Sequence, residues 1–538
     1  MKLEQVVRRY WIARALIVGL SCSLANLQAA SSDSTGTLGL PQLLQQAKQF
    51  EDTGQWTKAL EVYEQIPARE RNLTEVADRF QNCLRRIHQA HRHHDSTYRD
   101  QILKQSWYDA LEIYGEVLAK LQTNYVDREK VEVAKLFRQG LEELRIALFD
   151  AAFCDKHLPG TKLEVVRAFQ EELRSYWNNQ RVSRPRDAQD QALLVAWSAE
   201  EQLGLRKTVV LFEFICGACS GLDEYTYYLT PRELEELNAS WAGRLLGVGL
   251  QVGTVDHKLI ITRVLPGSSA QALGLKIGDQ ITRIGSESAA NLSAEAAAEL
   301  LKGAIDTLIE VEVSASDMRP QVVLLKRQVI PVPSVSEPRF LDERGEIGYL
   351  QLIAIQETTP SELDEAILRL RASGMRVLIL DLRGNQGGPF EIALRLVERF
   401  LASGIIVAAH GQVRQYNKIY RAHGTDVLDM PMVILVDAET ASSAEIVASA
   451  LQENQRGKLV GQTTFGKGSM QRVDKLNTTP ASGIRMTVAK LYTPLGRPYS
   501  DTGVTPNVVV QPDVSMDIGQ DAQLQAALDL ARPLTLSR

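Results

Sequence analysis

The chain has 538 residues, 44% hydrophobic and 23% charged, with a formal net charge of −6. That length exceeds one hydrophobic core and predicts three or four domains at roughly 100–200 residues each. The composition is that of a globular protein, and its mild acidity argues against nucleic acid as the main partner, which calls for a basic face.

In chain order, Lys2, Arg8, Arg9 and Arg14 precede an apolar stretch, Ala15 to Leu27, and the small residues Ala29-Ala30-Ser31-Ser32. This is the pattern of an export signal over 1–30. It predicts a periplasmic or cell-envelope protein, held at the membrane through its N-terminus if at all. The stretch is short and polar for a span, which takes about 20 apolar residues. Gly19 stands where a lipobox before Cys22 wants an aliphatic residue, so lipidation is not expected. The other cysteines, Cys83, Cys154, Cys216 and Cys219, are too few for a disulfide framework. Cys216-Gly-Ala-Cys219 lies in the apolar run Val209 to Ala218 and reads as two small core residues.

From about 40 to 240 apolar residues recur at helical spacing, as at Ala110, Leu111, Tyr114, Val117, Leu118 and Leu121. Within 31–105, the segment Gly54 to Pro67 resembles one tetratricopeptide unit, with Ala59 small enough for close packing and Tyr63 filling the groove beyond. Repeats need neighbours and no clear second copy is present, so an ordinary helical hairpin fits equally. This region is a candidate surface for a protein partner. His88, His91, His93 and His94 cluster beside Asp95 among arginines; the pattern reads as a solvated helix end before a metal site. Residues 106–240 form a helical region leading into the strand-rich part of the chain.

Over 241–330 the texture changes to short strands and glycine turns. Gly247-Val-Gly-Leu250 opens a strand, followed by Pro266-Gly-Ser-Ser, a short helix and Leu275-Lys-Ile-Gly-Asp279. This order resembles the PDZ modules of bacterial proteases. The N–H groups of Gly247, Val248, Gly249 and Leu250 are candidates to hold a peptide's terminal carboxylate, and the strand after them to accept the peptide as an added strand.

Over 331–515 strands and helices alternate, with buried-strand runs at Val377 to Leu382 and Met432 to Val436. A helix at about Asp521 to Ala531 closes the chain within 516–538. Three loops carry chemistry. At Val436-Asp-Ala-Glu-Thr-Ala-Ser-Ser-Ala-Glu445 a buried strand runs into a helix, placing Ser442 or Ser443 beside helix N–H groups. At Phe465-Gly-Lys-Gly468 a lysine sits between glycines; burial can make it neutral enough to act as a base. Gln471 has an amide oxygen suited to orient that amine. At Asp381-Leu-Arg-Gly-Asn-Gln-Gly-Gly388 the N–H of Gly387 or Gly388, paired with that of Ser443, would form an oxyanion hole.

With the PDZ segment, Asp381-Leu-Arg with Gly387-Gly388, Ser442-x-x-Glu445, and Phe465-Gly-Lys-Gly with Gln471 in this order, the chain resembles the carboxyl-terminal processing (tail-specific) peptidases over about 220–512. Leu222-Asp-Glu-Tyr-Thr226 and Tyr492-Thr-Pro-Leu-Gly-Arg497 match that family as well. Its base lysine follows the serine by about twenty-five positions, as Lys467 follows Ser442, which selects Ser442 over Ser443 as nucleophile. The resemblance implies an α/β core of the ClpP–crotonase type, within a multidomain α+β chain, and cleavage of proteins near their C-termini. It also implies no metal or cofactor. Gly384, Gln386, Ser443 and Asn507 depart from the family's Asn, Pro, Ala and Asp. Two alternatives remain: a silent PDZ and helical scaffold binding protein tails, and Ser–His chemistry through His410 or His423. Protein or peptide substrates are the expected partners, with a homo-oligomer left open.

Overall fold

The computed structural model describes residues 39–66, 70, 73–255, 258–314, 320–511 and 521–536. The export-signal reading of 1–30 lies outside them. Among the described residues no helix is long and apolar enough to cross a membrane.

The tetratricopeptide-like segment is a single helical hairpin, Leu40–Asp52 and Trp56–Glu64, closed by the long helix Thr74–His94 rather than by a second copy. Ala59 and Tyr63 are fully buried in its own small core, and the Tyr63 hydroxyl donates to Glu51 at 2.6 Å. Beyond it, helices Trp107–Asn124, Val133–Ala147, Pro185–Leu203 and Lys207–Ser220 pack into a larger core. Every residue of Lys207–Ser220 from Thr208 onward is buried, as expected for a helix apolar on all faces. Cys216 and Cys219 are buried, free thiols in that helix.

That helix also carries Glu213, fully buried. Burial alone raises a carboxyl, but Arg92 and His93 hold Glu213 down at about 2. Gln89 donates to its Oε2 at 3.0 Å and His93 Nε2 lies 2.9 Å from its Oε1. The histidine cluster is therefore not the solvated helix end that its polarity suggests. Arg92 is buried because two buried carboxylates, Glu143 and Glu213, need counter-charge, and the His93 ring, which burial holds toward its neutral form, is buried as a hydrogen-bond partner of Glu213. Removing one partner of such a network costs about 3–5 kcal/mol. Among the described residues no group of His, Cys, Asp and Glu has metal-site geometry.

The helical region and the α/β region share that core, which runs from Tyr98 to Val504. Strand Tyr227–Leu229, ahead of the PDZ segment, pairs antiparallel with Gly483–Tyr492. A boundary at 240 thus divides the sequence but not the packing, and the PDZ segment is an insertion into the peptidase-like body. Its sheet places Leu250–Val255 at the edge, beside Lys258–Val264. Helix Ala294–Leu301 packs over the same small core.

Two sheets form the α/β body. One runs Arg339–Phe340, Ile347–Gln351, Val377–Asp381, Met432–Val436, Lys458–Gly461, Val508–Val509, parallel except for the first strand. Helix Ala522–Ala531 covers one face; Thr359–Ala372, Phe390–Glu398 and Ser443–Glu453 cover the other. With both faces buried, these strands read as continuous apolar runs. The second sheet is built on the long strand Gly483–Tyr492, flanked by Ser469–Lys475, Ile405–Gly411 and Tyr227–Leu229.

Candidate active site

The parallel strands Val377–Asp381 and Met432–Val436 are neighbours, so the loops leaving their C-terminal ends meet. Such strand ends are where α/β sheets hold their ligands. Asp437 ties the loops together: its Oδ1 accepts the N–H groups of Gly384 at 3.0 Å and Thr440 at 2.9 Å. Ala441 N–H donates to the Asn385 carbonyl at 2.9 Å. The glycine at 384, where the family has Asn, therefore leaves the loop anchored. Asn507 likewise serves in place of Asp, its Oδ1 accepting Leu459 N–H at 2.8 Å.

Ser442 stands at the start of helix Ser443–Glu453 with φ 57° and ψ −122°. For a residue with a Cβ this conformation costs on the order of 1–3 kcal/mol and persists only where the surroundings enforce it. Here Glu445 enforces it. Its Oε2 accepts the Ser442 N–H at 2.8 Å and the Lys467 N–H at 2.8 Å. Its Oε1 accepts Gly466 N–H at 2.8 Å and the Thr464 hydroxyl at 2.5 Å. Burial pushes this carboxyl up to about 7, while those four donors pull it down.

Lys467 is 2% exposed, and its Nζ has no hydrogen-bond partner. The amine lies over the Tyr225 ring, 4.1 Å from its centroid. Burial, then the charge of Arg485, drive its pKa well below the ordinary lysine value; Glu224, Asp223 and Glu445 oppose them. A neutral amine is what a lysine must be to take a proton. Since Nζ has no partner, no hydrogen bond joins it to Ser442 in this conformation.

Gln471 does not orient the amine here. The pairing of Ser469–Lys475 with Gly483–Tyr492 shifts register between Met470 and Gln471. The Gln471 amide nitrogen donates to Ser469 Oγ at 2.9 Å, and its oxygen accepts from Arg485 at 3.4 Å. Gly387 is also not a free donor, since its N–H reaches Asn385 Oδ1 at 2.8 Å. Among the described residues the N–H groups of Gly388 and Ser443 have no acceptor. They flank the Ser442 turn, where Ser443 Oγ donates to the Gly388 carbonyl at 2.7 Å. Position 388 must be glycine, because a Cβ there would lie 1.8 Å from the Ile355 carbonyl oxygen.

His410 is exposed and lies tilted against Tyr492, the ring centroids 4.6 Å apart. His423 is exposed beside Glu398, which accepts its N–H. Sequence reasoning missed the roles of Tyr225 and Arg485. Tyr225 lay within Leu222–Thr226, matched there only as a family segment, and the contacts of both residues are long-range.

In the PDZ segment the carbonyls of the 247–250 loop are tied inward, Val248 O to Ala270 N–H at 3.3 Å and Gly249 O to Leu265 N–H at 2.9 Å. The edge strand after it is open on one side, beside helix Ala294–Leu301. The stem of this segment reaches the peptidase-like body where Glu357 N–H donates to Trp241 O at 2.7 Å. Two residues earlier, Ile355 N–H donates to Gly387 O at 3.1 Å.

The profile of Peptidase family S41 matches residues 346–510 and that of the PDZ domain residues 236–314. The carboxyl-terminal-processing protease of Synechocystis sp. is 36% identical over 319 residues, covering 57% of this chain and 74% of that protein. Its namesake from Picosynechococcus sp. is 34% identical, covering 57% and 75%. Among solved structures, a photosystem II D1 C-terminal processing protease aligns over 75% of this chain and 94% of its own, at 24% identity and a TM-score of 0.40.

Proposed function

The chain belongs to peptidase family S41, among the carboxyl-terminal-processing serine proteases, and from that premise we propose that it cleaves proteins near their C-termini with a Ser442–Lys467 pair. The observation that carries the pair is the buried amine of Lys467, without a hydrogen bond, on a residue whose backbone N–H shares the Glu445 carboxylate with the backbone N–H of Ser442.

Lys467, neutral, takes the Ser442 hydroxyl proton as Oγ attacks the scissile carbonyl. The N–H groups of Gly388 and Ser443 receive the developing oxyanion. The lysine ammonium then protonates the leaving amine, freeing the C-terminal fragment. Water, deprotonated by the same amine, releases the acyl-enzyme. For this the Lys467 side chain swings from Tyr225 toward Ser442. Gly247, Val248, Gly249 and Leu250 hold the substrate's terminal carboxylate, and the tail pairs with Leu250–Val255. A scaffold that only held tails would need no buried, neutral lysine beside a strained serine. The basic and apolar start of the chain supports export to the periplasm or envelope.

The test is fluorophosphonate labelling and hydrolysis of an unstructured protein with an apolar C-terminus. Labelling located at Ser442, with hydrolysis lost in Ser442→Ala, is expected. Labelling at another serine, or hydrolysis by Ser442→Ala, would overturn the assignment.

A further inference from the structure

Away from that site, the helical region holds a cluster of charge without an assigned role. A cavity of about 540 Å³ opens between helices Thr74–His94 and Val133–Ala147. Its wall carries the guanidinium groups of Arg85, Arg86 and Arg145 and the carboxylates of Asp78 and Glu142, leaving one positive charge in excess.

Two of these arginines are incompletely matched. Glu142 pairs with Arg145 through both oxygens, accepting its Nε–H at 2.7 Å and an Nη2–H, so Arg145 is the matched one. Arg85 is 6% exposed; it donates to Gln139 and lies 4.0 Å from Glu143, whose nearer partner is Arg92 at 3.0 Å. Arg86 has no ion pair among the described residues and instead lies over the Trp56 ring, 4.8 Å from its centroid. The Nε–H groups of Arg85 and Arg86 are buried without acceptors. A buried donor left unmatched costs about 1–3 kcal/mol, and more when charged. Burial and the neighbouring Arg145 lower the Arg86 pKa, with Asp150 and Glu142 opposing.

The cationic surface continues along the same helix. Two further cavities, about 290 and 280 Å³, are lined by Lys135 and Arg138, and by Arg138, Arg145 and Arg174. Lys135 is paired with Glu132 at 3.0 Å and Arg145 with Glu142, so Lys130, Arg138 and Arg174 are the cations of these two cavities without an ion pair among the described residues. Val133–Ala147 has 15 residues, about 22 Å of helix, the reach of about six or seven residues of extended chain.

We propose that this face binds an acidic protein segment, with one carboxylate held by Arg86 and Arg145 in the larger cavity. Ile146 and the exposed ring of Phe149 line that cavity and give an apolar residue beside the carboxylate a place to pack. Guanidinium forks match carboxylates bidentately. The single excess charge suits a carboxylate better than a doubly charged phosphate. The cations line concavities, which suits an extended chain rather than a flat membrane.

The site is separate from the peptidase machinery and is tested by binding alone. The probe is a fluorescein-labelled peptide of alternating Glu and Leu, amidated at its C-terminus so that the PDZ loop has no carboxylate to hold. Anisotropy is measured on Ser442→Ala protein, so that the probe is not consumed. Saturable binding that weakens with salt is expected. Arg86→Gln with Arg145→Gln should weaken it by roughly tenfold or more, about 1.4 kcal/mol. Arg138→Glu, a change at an exposed position, should weaken it without touching any buried group. No binding by the parent protein, or equal affinity in folded variants, would overturn the proposal. So would retention of phosphatidylglycerol vesicles, or competition by inorganic phosphate, without retention of the peptide.

Discussion

The backbone N–H groups of Ser442 and Lys467 donate to one oxygen, Oε2 of Glu445, each at 2.8 Å. The proposed nucleophile and base are thereby fixed to each other through main chain, while their side chains stay apart and the Lys467 amine has no partner. Glu445 is fully buried, so its removal leaves buried donors unmatched, at about 1–3 kcal/mol each. Glu445→Ala should lower stability by about 3 kcal/mol or more and remove most activity. Glu445→Gln keeps one acceptor oxygen and should be milder on both. Thermal denaturation with hydrolysis rates checks this; a Glu445→Ala protein of normal stability and rate would refute the fixing role.

The two serines at the turn should separate cleanly. Ser442→Ala removes the proposed nucleophile and should reduce the hydrolysis rate by about a thousandfold or more. Ser443→Ala keeps its backbone N–H and loses only the hydrogen bond to the Gly388 carbonyl. Its loss should stay within about tenfold, since a net hydrogen bond is worth about 1 kcal/mol. Rate constants under saturating substrate decide it.

Much of this architecture is legible in the sequence. The runs Val377–Asp381 and Met432–Val436 are apolar because both sheet faces are covered, and the loops after them follow from that. What the sequence hides depends on distant contacts. Glu213 is unremarkable in a helical run until Arg92 and His93 close on it across 120 residues or more. The Gln471 amide has the chemistry to reach the amine, but a one-position shift in strand pairing turns it to Ser469 and Arg485. Gly387 and Gly388 are indistinguishable as letters; only the Asn385 side chain shows which N–H is taken.

Lys467 should weaken the fold where it is useful to the chemistry. Its folded pKa is depressed, so the unfolded chain binds the extra proton between that value and the ordinary value of about 10.4. Stability therefore rises with pH across that window, and the penalty is greatest below the folded pKa. Lys467→Met should raise the melting temperature, by more at about pH 6 than at about pH 10, and abolish activity. Lys467→Arg should be equally inactive, because guanidinium keeps its proton. A melting temperature gain independent of pH would mean that the amine is charged in the folded protein.

Arg485 sits where its charge reaches that amine. It donates to Gln471 Oε1 at 3.4 Å and to the Tyr227 hydroxyl at 3.1 Å, and it depresses the Lys467 pKa. Arg485→Gln should let that pKa rise. The ascending limb of the pH–rate profile then moves to higher pH, with activity lost near neutrality and recovered in base. Arg485→Lys should leave the limb near its original place. A uniform loss at all pH values in Arg485→Gln would mark a packing role instead.

In the PDZ loop Gly249 has φ 81°, and a Cβ there would lie 2.1 Å from the Ser268 Cβ. Gly249→Ala must therefore displace the loop proposed to offer its N–H groups to a carboxylate, while the Ser442 turn, built from other strands, stays as it is. Substrates with a free tail should show a raised KM and little change in kcat. An otherwise identical substrate amidated at its C-terminus should start with a raised KM and change little further on mutation. Multiplicative effects of amidation and mutation would mean that they act independently, and would rule out this loop as the carboxylate's seat. Equal KM values for free and amidated tails on the parent protein would do so as well.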